Sequence, residues 1–350
     1  MEDTSFEPAS EEVSGPLRHV SASVRTVASS VRYEASHEAM GTIFAVVAYG
    51  SSSACLEEVV CRAFQEIDRL DDEMSHYKPE SELSAINRAA HRQRMAVSPG
   101  LFKLLDDSLR YSQETDGAFD ITIGPLMKAW GFFRGWGRLP APQELSEALN
   151  RIGYRHVKLD AVTRTVGFDE PGIELDLGAI GKGYAVDRVV EILRAGGITQ
   201  ALVSSGTSSI YALGSPPGEQ GWEISVCHPF DRRKTACTLR VQNLSISVSG
   251  DYEKSFELGG RIYAHIMDPR SGMPAEHMAM TVVISPSATE GDALSTSFFV
   301  RGVERSRVYL ECHPDLTAIF YIPARSTHTV EQVVLKSSMT KLPVDRFVRM

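Results

Sequence analysis

Apolar and polar positions alternate along this chain in two distinct rhythms. From Gly41 the run Thr42-Ile43-Phe44-Ala45-Val46-Val47-Ala48-Tyr49 is β-branched and aromatic and stops at Gly50, which predicts a strand. Beyond it, Leu56, Val59, Val60, Phe64, Ile67, Leu70 and Met74 recur every three or four residues. Glu57, Glu58 and Asp68 fall between them, as in a long amphipathic helix whose Met74 belongs to the core. Shorter helices are predicted over 81–90, 100–114, 121–131 and 142–152, the last opened by Pro142 and acidic residues.

From residue 155 the texture changes to short runs separated by Gly, Pro and Asp. Strands are predicted at 155–160, 164–168, 172–176, 199–204, 208–213, 222–227, 236–248, 261–267 and 278–285. Two helices interrupt them: one from about Gly181 to Ala195, with Val186, Val189, Val190 and Leu193 on one face, and one from about Asp292 to Arg301. Hairpin spacing with few helices argues for an α+β fold rather than a βαβ repeat. Residues 1–32 carry neither period and are expected to form a disordered tail. A single domain is expected over 33–340, helix-rich to about 153 and strand-rich from about 154.

Composition narrows the function classes. With 43% hydrophobic residues there is material for a large core, which excludes a mostly disordered chain. Lys and Arg total 36 against 45 Asp and Glu, a net charge of -9, so no global attraction to nucleic acid or anionic lipid is expected. Five cysteines, odd in number and without a C-x-x-C pair, argue against a disulfide framework or a structural zinc site. The acidic start has no apolar signal region and no apolar run is long enough for a membrane helix, so the expected location is cytoplasmic, or exported if the chain is a trimmed mature form.

Three segments could carry chemistry. In Asp176-Leu177-Gly178-Ala179-Ile180-Gly181-Lys182-Gly183-Tyr184 a strand passes through three glycines into a helix. Backbone N–H groups and the Lys182 charge there could meet a phosphate. The spacing is not that of a Walker A loop, and a glycine turn that merely packs a helix is the plain alternative. In Gly291-Asp292-Ala293-Leu294-Ser295-Thr296, Asp292 and Thr296 share a helix face, suited to a hard cation such as Mg²⁺; the plain alternative makes Asp292 an N-cap and Thr296 a surface hydroxyl. In Tyr263-Ala264-His265-Ile266-Met267-Asp268-Pro269-Arg270-Ser271-Gly272, His265 could act as a base, although a lone strand-end histidine is more often structural. His76, His228 and His313 show no ligand spacing and receive no role, and Ser204 to Ser209 lack a nucleophile elbow.

In this order the three segments resemble the ApbE family of FAD:protein FMN transferases, whose members carry D-L-G-G-I-A-K-G-Y-A-V-D, H-x-[IL]-x-D-P-x-T-G and D-A-L-S-T. Here they stand as Asp176 to Asp187, His265 to Gly272 and Asp292 to Thr296. Upstream, Met40-Gly41-Thr42, the stretch Met74 to Asn87, and Gly117 to Leu126 are similar to the family's M-G-T, M-S-x-Y-x-P-x-S-E-L-S-x-x-N and G-A-F-D-P-T-V-G-P-L. Six motifs lie in register over about 38–302. The chain departs at Gly181, where relatives have alanine, at Ile121, where they have proline, and at Ser205-Gly206-Thr207-Ser208, where many have G-G-D or G-G-N.

The resemblance implies an ApbE/T-fold-like architecture, a mostly antiparallel sheet with packed helices. It also implies Mg²⁺-dependent transfer of FMN from FAD, the substrate, to a threonine hydroxyl of an acceptor protein, releasing AMP. Asp292 and Thr296 with the Gly181 carbonyl would hold Mg²⁺, Lys182 and the surrounding backbone would lie near the phosphates, and His265 would be the base or orienting group, giving His265, Asp292 and Lys182 the catalytic roles. Met40, Tyr77, Asp120, Thr122, Asp176, Gly178, Lys182, His265 and Asp268 would form the FAD pocket, with Tyr77 stacking on a ring and Asp268 fixing its turn. Two other readings stay open: an FAD pyrophosphatase giving FMN and AMP, and a non-catalytic FAD-binding protein. The chain has no acceptor segment of its own, nucleic acid is not an expected partner, and a homodimer is left open.

Overall fold

The computed structural model of the chain describes residues 21–27, 30–133, 135, 137–250, 255–259, 261–324 and 329–336. Nine strands form one sheet whose spatial order follows chain order: β1 (Ser21–Val27), β2 (Ser30–Ala39), β3 (Thr42–Gly50), β4 (Gln200–Ser205), β5 (Ser209–Leu213), β6 (Leu244–Gly250), β7 (Met280–Ser285), β8 (Thr317–Pro323) and β9 (Val330–Lys336). All eight pairings are antiparallel. The sheet is thus a meander, and the other elements are excursions between its strands.

The longest excursion separates β3 from β4. It holds α1 (Ser53–Met74), α2 (Glu82–Ala89), α3 (Pro99–Glu114), α4 (Gly124–Ala129), α5 (Pro142–Leu149) and α6 (Gly181–Ala195). A hairpin of Trp222–His228 and Asp231–Val241 separates β5 from β6, and α7 (Ala288–Glu311) joins β7 to β8. Strand alternation explains the layers. Phe44, Val46 and Ala48 of β3 face the helices, while Val47 and Tyr49 pack on the opposite face with Trp222, Ile224 and Val226 of the hairpin. Among the described residues no helix is long and apolar enough to cross a membrane.

Beneath α7 the core becomes polar and thin. Ser245, Ser247 and Ser249 of β6 are buried on the helix side, and a Cβ added at Gly291 would lie 2.6 Å from the Ser247 hydroxyl. Small residues on both elements therefore let the helix start sit close against the sheet.

Several sequence expectations shift. Order begins well before Tyr33, because β1 and the start of β2 pair over Ser21 to Ser36; residues 1–20 and 337–350 lie outside the described set. Strands β8 and β9 extend the sheet beyond the predicted ones. The expected strand 236–248 is two strands in different layers, divided at Asn243, whose φ is +54°. Segment 172–176 is extended but unpaired as a strand. The Asn87 side chain bonds both the N–H (2.8 Å) and the carbonyl (3.0 Å) of Leu175, and Asp176 N–H bonds Ile121 O at 2.7 Å, which replaces a ladder. The predicted helix at 121–131 shrinks to α4, and α7 starts four residues before Asp292 and runs on to Glu311 through a non-helical Gly302.

Candidate active site

A cleft of about 990 Å³ opens where the β2–β3 turn, the end of α1, the segment before α6 and the start of α7 converge. Its size is at the top of the usual ligand-pocket range of about 300–1,000 Å³. Met40, Tyr77, Asp120, Asp176, Gly178, Gly181, Lys182, His265, Asp292 and Thr296 all line it. Ten predicted positions from six sequence motifs are therefore brought to one cavity.

Asp292 lies in the second turn of α7, 4% exposed, and its Oδ2 accepts the N–H of Gly183 at 2.8 Å. It is not the N-cap. That position is Ser287, whose hydroxyl accepts the Glu290 N–H at 3.3 Å. Nor is Thr296 a loose surface hydroxyl, since its Oγ1 lies 3.1 Å from Ser249 Oγ, which also meets Ser295 Oγ at 2.8 Å. Ser249 lines the cleft as well.

The α6 entry differs from the expected open anion nest. Gly178 N–H goes to Asp176 Oδ1 (2.8 Å), Gly181 N–H to Leu177 O (2.7 Å) and Gly183 N–H to Asp292. Those donors are spent inside the protein, so the charge this turn offers to the cleft is the Lys182 ammonium, whose Nζ donates to Gly178 O at 3.3 Å.

Asp120 and Thr122 act as a bracket. The Asp120 carboxylate accepts from Thr122 N–H (2.8 Å), Thr122 Oγ1 (2.6 Å) and Tyr154 N–H (2.8 Å), while Thr122 Oγ1 accepts the Gly153 N–H at 2.7 Å. Burial raises the Asp120 carboxyl above the ordinary range, and these bonds do not offset it. Thr122 is fully buried with its hydroxyl committed, so it shapes the wall rather than lining it. Asp268 likewise serves its turn: although burial pushes its carboxyl up, the paired hydrogen bonds it accepts from Arg270 Nε and Nη2 (both 2.8 Å) win and hold it low. Its neighbours Met267 and Pro269 are the cleft-lining residues.

Met40 and Gly41 form the two-residue loop between Ala39 and Thr42, both with positive φ (+51° and +71°), the pattern of a type I′ hairpin. A methionine in this conformation is strained, and Met40 and Gly41 both line the cleft. Opposite, Gly206 has φ +54°, and a Cβ there would come 2.6 Å from Thr42 Oγ1; the Ser205 to Ser208 step thus packs closely against Thr42, with Ser208 on the cleft wall. Tyr77, 41% exposed, stacks on Phe133 at 5.0 Å.

Sequence reasoning missed three contributors. His76 lines the cleft with Nδ1 3.4 Å from Asp176 Oδ1. Ser249 orients Thr296. Asp187 of α6 caps α7, accepting from Ser287 Oγ (2.6 Å), Ala288 N–H (2.8 Å), Thr289 N–H (2.8 Å) and Thr289 Oγ1 (2.6 Å). Asp187 closes the first motif, but its partners lie a hundred residues away.

Fold and cleft together define an α+β protein with a hydroxyl- and carboxylate-lined pocket sized for a large ligand. More specifically, the chain belongs to the ApbE family, whose sequence profile matches residues 40–320. It is 36% identical over 266 residues to an FAD:protein FMN transferase of Klebsiella pneumoniae (75% of this chain, 82% of that one) and 32% identical over 322 residues to one of Treponema pallidum (86% and 88%). Among solved structures it resembles the flavin transferase ApbE from Vibrio cholerae (TM-score 0.77, 26% identity, 89% and 98% covered) and the ApbE protein from Thermotoga maritima (0.78, 27%, 88% and 97%).

Proposed function

We propose that this chain is an FAD:protein FMN transferase that uses Mg²⁺ and modifies a threonine hydroxyl of an acceptor protein. The observation that carries the reading is the meeting of Asp292, Thr296, Gly181, Lys182 and His265 in one cleft, within a family whose curated relatives bear this activity.

The donors suit Mg²⁺. Asp292 offers a carboxylate, Thr296 a hydroxyl and Gly181 a carbonyl, all hard oxygens, and Mg²⁺ commonly takes one or two carboxylates and leaves its other positions to water and substrate phosphates. Among the described residues no group of three or more His, Cys, Asp or Glu is placed to hold a metal ion. Bound there, Mg²⁺ would neutralise charge developing on the pyrophosphate.

The remaining roles fall to side chains. Lys182 faces the phosphates as a point charge. His265 takes the proton of the acceptor hydroxyl as its oxygen bonds to the FMN phosphorus of FAD. The bond from that phosphorus to the bridging oxygen breaks, and AMP departs with the electron pair. The Asp120–Thr122 bracket and the Met40 turn hold the walls against which FAD is positioned.

The test is incubation with FAD, Mg²⁺ and an acceptor domain. An acceptor heavier by one FMN unit, with AMP formed in step, is the expected result. AMP with an unchanged acceptor would instead favour the pyrophosphatase.

A further inference from the structure

A basic bulge overhangs this cleft. In the hairpin, Asp231 pairs with His228 and Thr235 with the adjacent Cys227, so Arg232, Arg233 and Lys234 are extra residues on the second strand with no counterparts on the first. Bulges re-aim side chains and cluster near active sites. Asp231 engages two of the three: its Oδ1 accepts the Arg233 N–H at 3.2 Å and Nε at 3.1 Å, which chiefly lowers its carboxyl below the ordinary range, and its Oδ2 lies 3.8 Å from the Lys234 ammonium. Arg233 is 91% exposed. Arg232 is the member of the trio that lines the cleft, with Lys182, His265 and Asp292.

The cleft has need of such a cation. Its glycine-turn N–H groups bond within the protein, and among the described residues the Lys and Arg side chains on its wall are Lys78, Lys182 and Arg232, of which Arg232 is the one guanidinium. A pyrophosphate brings two negative charges at neutral pH, and the leaving AMP gathers more. A guanidinium binds phosphate through two parallel N–H bonds, which an ammonium cannot match.

We propose that Arg232 is a phosphate-binding residue of this cleft, delivered by the hairpin bulge to the pyrophosphate of FAD. The inference rests on the FAD-dependent reading above. It assigns the bulge a task that a mere hairpin end would not have, and it makes the hairpin a functional wall of the pocket.

The test is FAD titration of the full chain, followed by flavin fluorescence without acceptor, with AMP competition measured alongside. Arg232→Ala should raise the Kd for FAD and for AMP about tenfold to a hundredfold, as expected for loss of a charge-assisted pair. Arg232→Lys should fall between, and Arg233→Ala should stay within about twofold of the parent. Unchanged thermal unfolding of all three variants separates lost binding from lost folding. If the parent binds FAD and Arg232→Ala binds it equally well, the inference fails while the functional reading stands. If the parent binds no FAD, the functional reading itself falls.

Discussion

The Asp292 carboxylate accepts the backbone N–H of Gly183 at 2.8 Å, tying the first turn of α6 to the second turn of α7. Gly183 permits this because a Cβ there would lie 2.1 Å from Ala288 O and 2.7 Å from Asp292 Cβ. Gly183→Ala must therefore separate the helices. Overpacking of this kind costs roughly 1–3 kcal/mol or more. The expected outcome is a lower urea midpoint with turnover lost; parental stability and activity would mean that the close crossing is not required.

Asp187 holds the same junction from the other side, accepting four hydrogen bonds at the start of α7. Removing the cap in Asp187→Ala leaves two buried N–H donors and two hydroxyls without their acceptor, and about 1–3 kcal/mol of stability should go. Asp187→Asn should lose less, since one amide oxygen remains. Equilibrium unfolding measures both, and a Mg²⁺ titration of activity should show a weaker apparent affinity in each variant as Asp292 shifts.

Glu290, two residues before Asp292 in α7, is a source of pH dependence. Burial is the main cause that raises its carboxyl above the ordinary value, with Glu114 and Asp187 adding to it and Arg110 and His313 opposing. The folded chain thus holds this proton more tightly than the unfolded one. Its contribution favours folding at low pH and is lost as pH climbs from about 4.5 through the raised folded value. Glu290→Gln should be more stable than the parent at pH 7 and level with it near pH 4.5. Thermal unfolding across that range checks the sign, and an equal difference at both pH values would contradict it.

His265 faces the cleft beside Met267 and Pro269. His265→Gln keeps a polar side chain but removes the proton acceptor. Single-turnover rates of acceptor modification should fall about a hundredfold to ten-thousandfold, the usual reach of general base catalysis, with FAD affinity little changed. A parental rate would make this histidine structural.

Much of the site was legible because its chemistry imposes local patterns. Glycines before α6, a carboxylate and hydroxyl one turn apart in α7, and a histidine before a Pro- and Gly-bounded turn are all short-range signals. What escaped depends on contacts distant in sequence. In β2 the inward positions are Tyr33, Ala35 and His37. The fully buried His37 bonds Asp68 at 2.7 Å and stacks on Phe64, so a polar residue interrupts the apolar alternation that marks a strand. Thr122 reads as a pocket residue in the sequence, yet its hydroxyl is committed to Asp120 and Gly153. The open anion nest expected at Gly178 to Gly183 is closed in part by local acceptors, Asp176 and Leu177, and in part by Asp292 of α7, more than a hundred residues from Gly183. The strand at 172–176 failed for a similar reason: Asn87, on another helix, satisfies its backbone.

The most direct test of the account is a comparison of the parent and Asp292→Ala in a single turnover with FAD, Mg²⁺ and acceptor, alongside FAD binding without metal. The account predicts that Asp292→Ala still binds FAD, releases no AMP, leaves the acceptor mass unchanged and gains nothing from added Mg²⁺. AMP release at the parental rate with parental Mg²⁺ dependence would contradict it and place the chemistry elsewhere in the molecule.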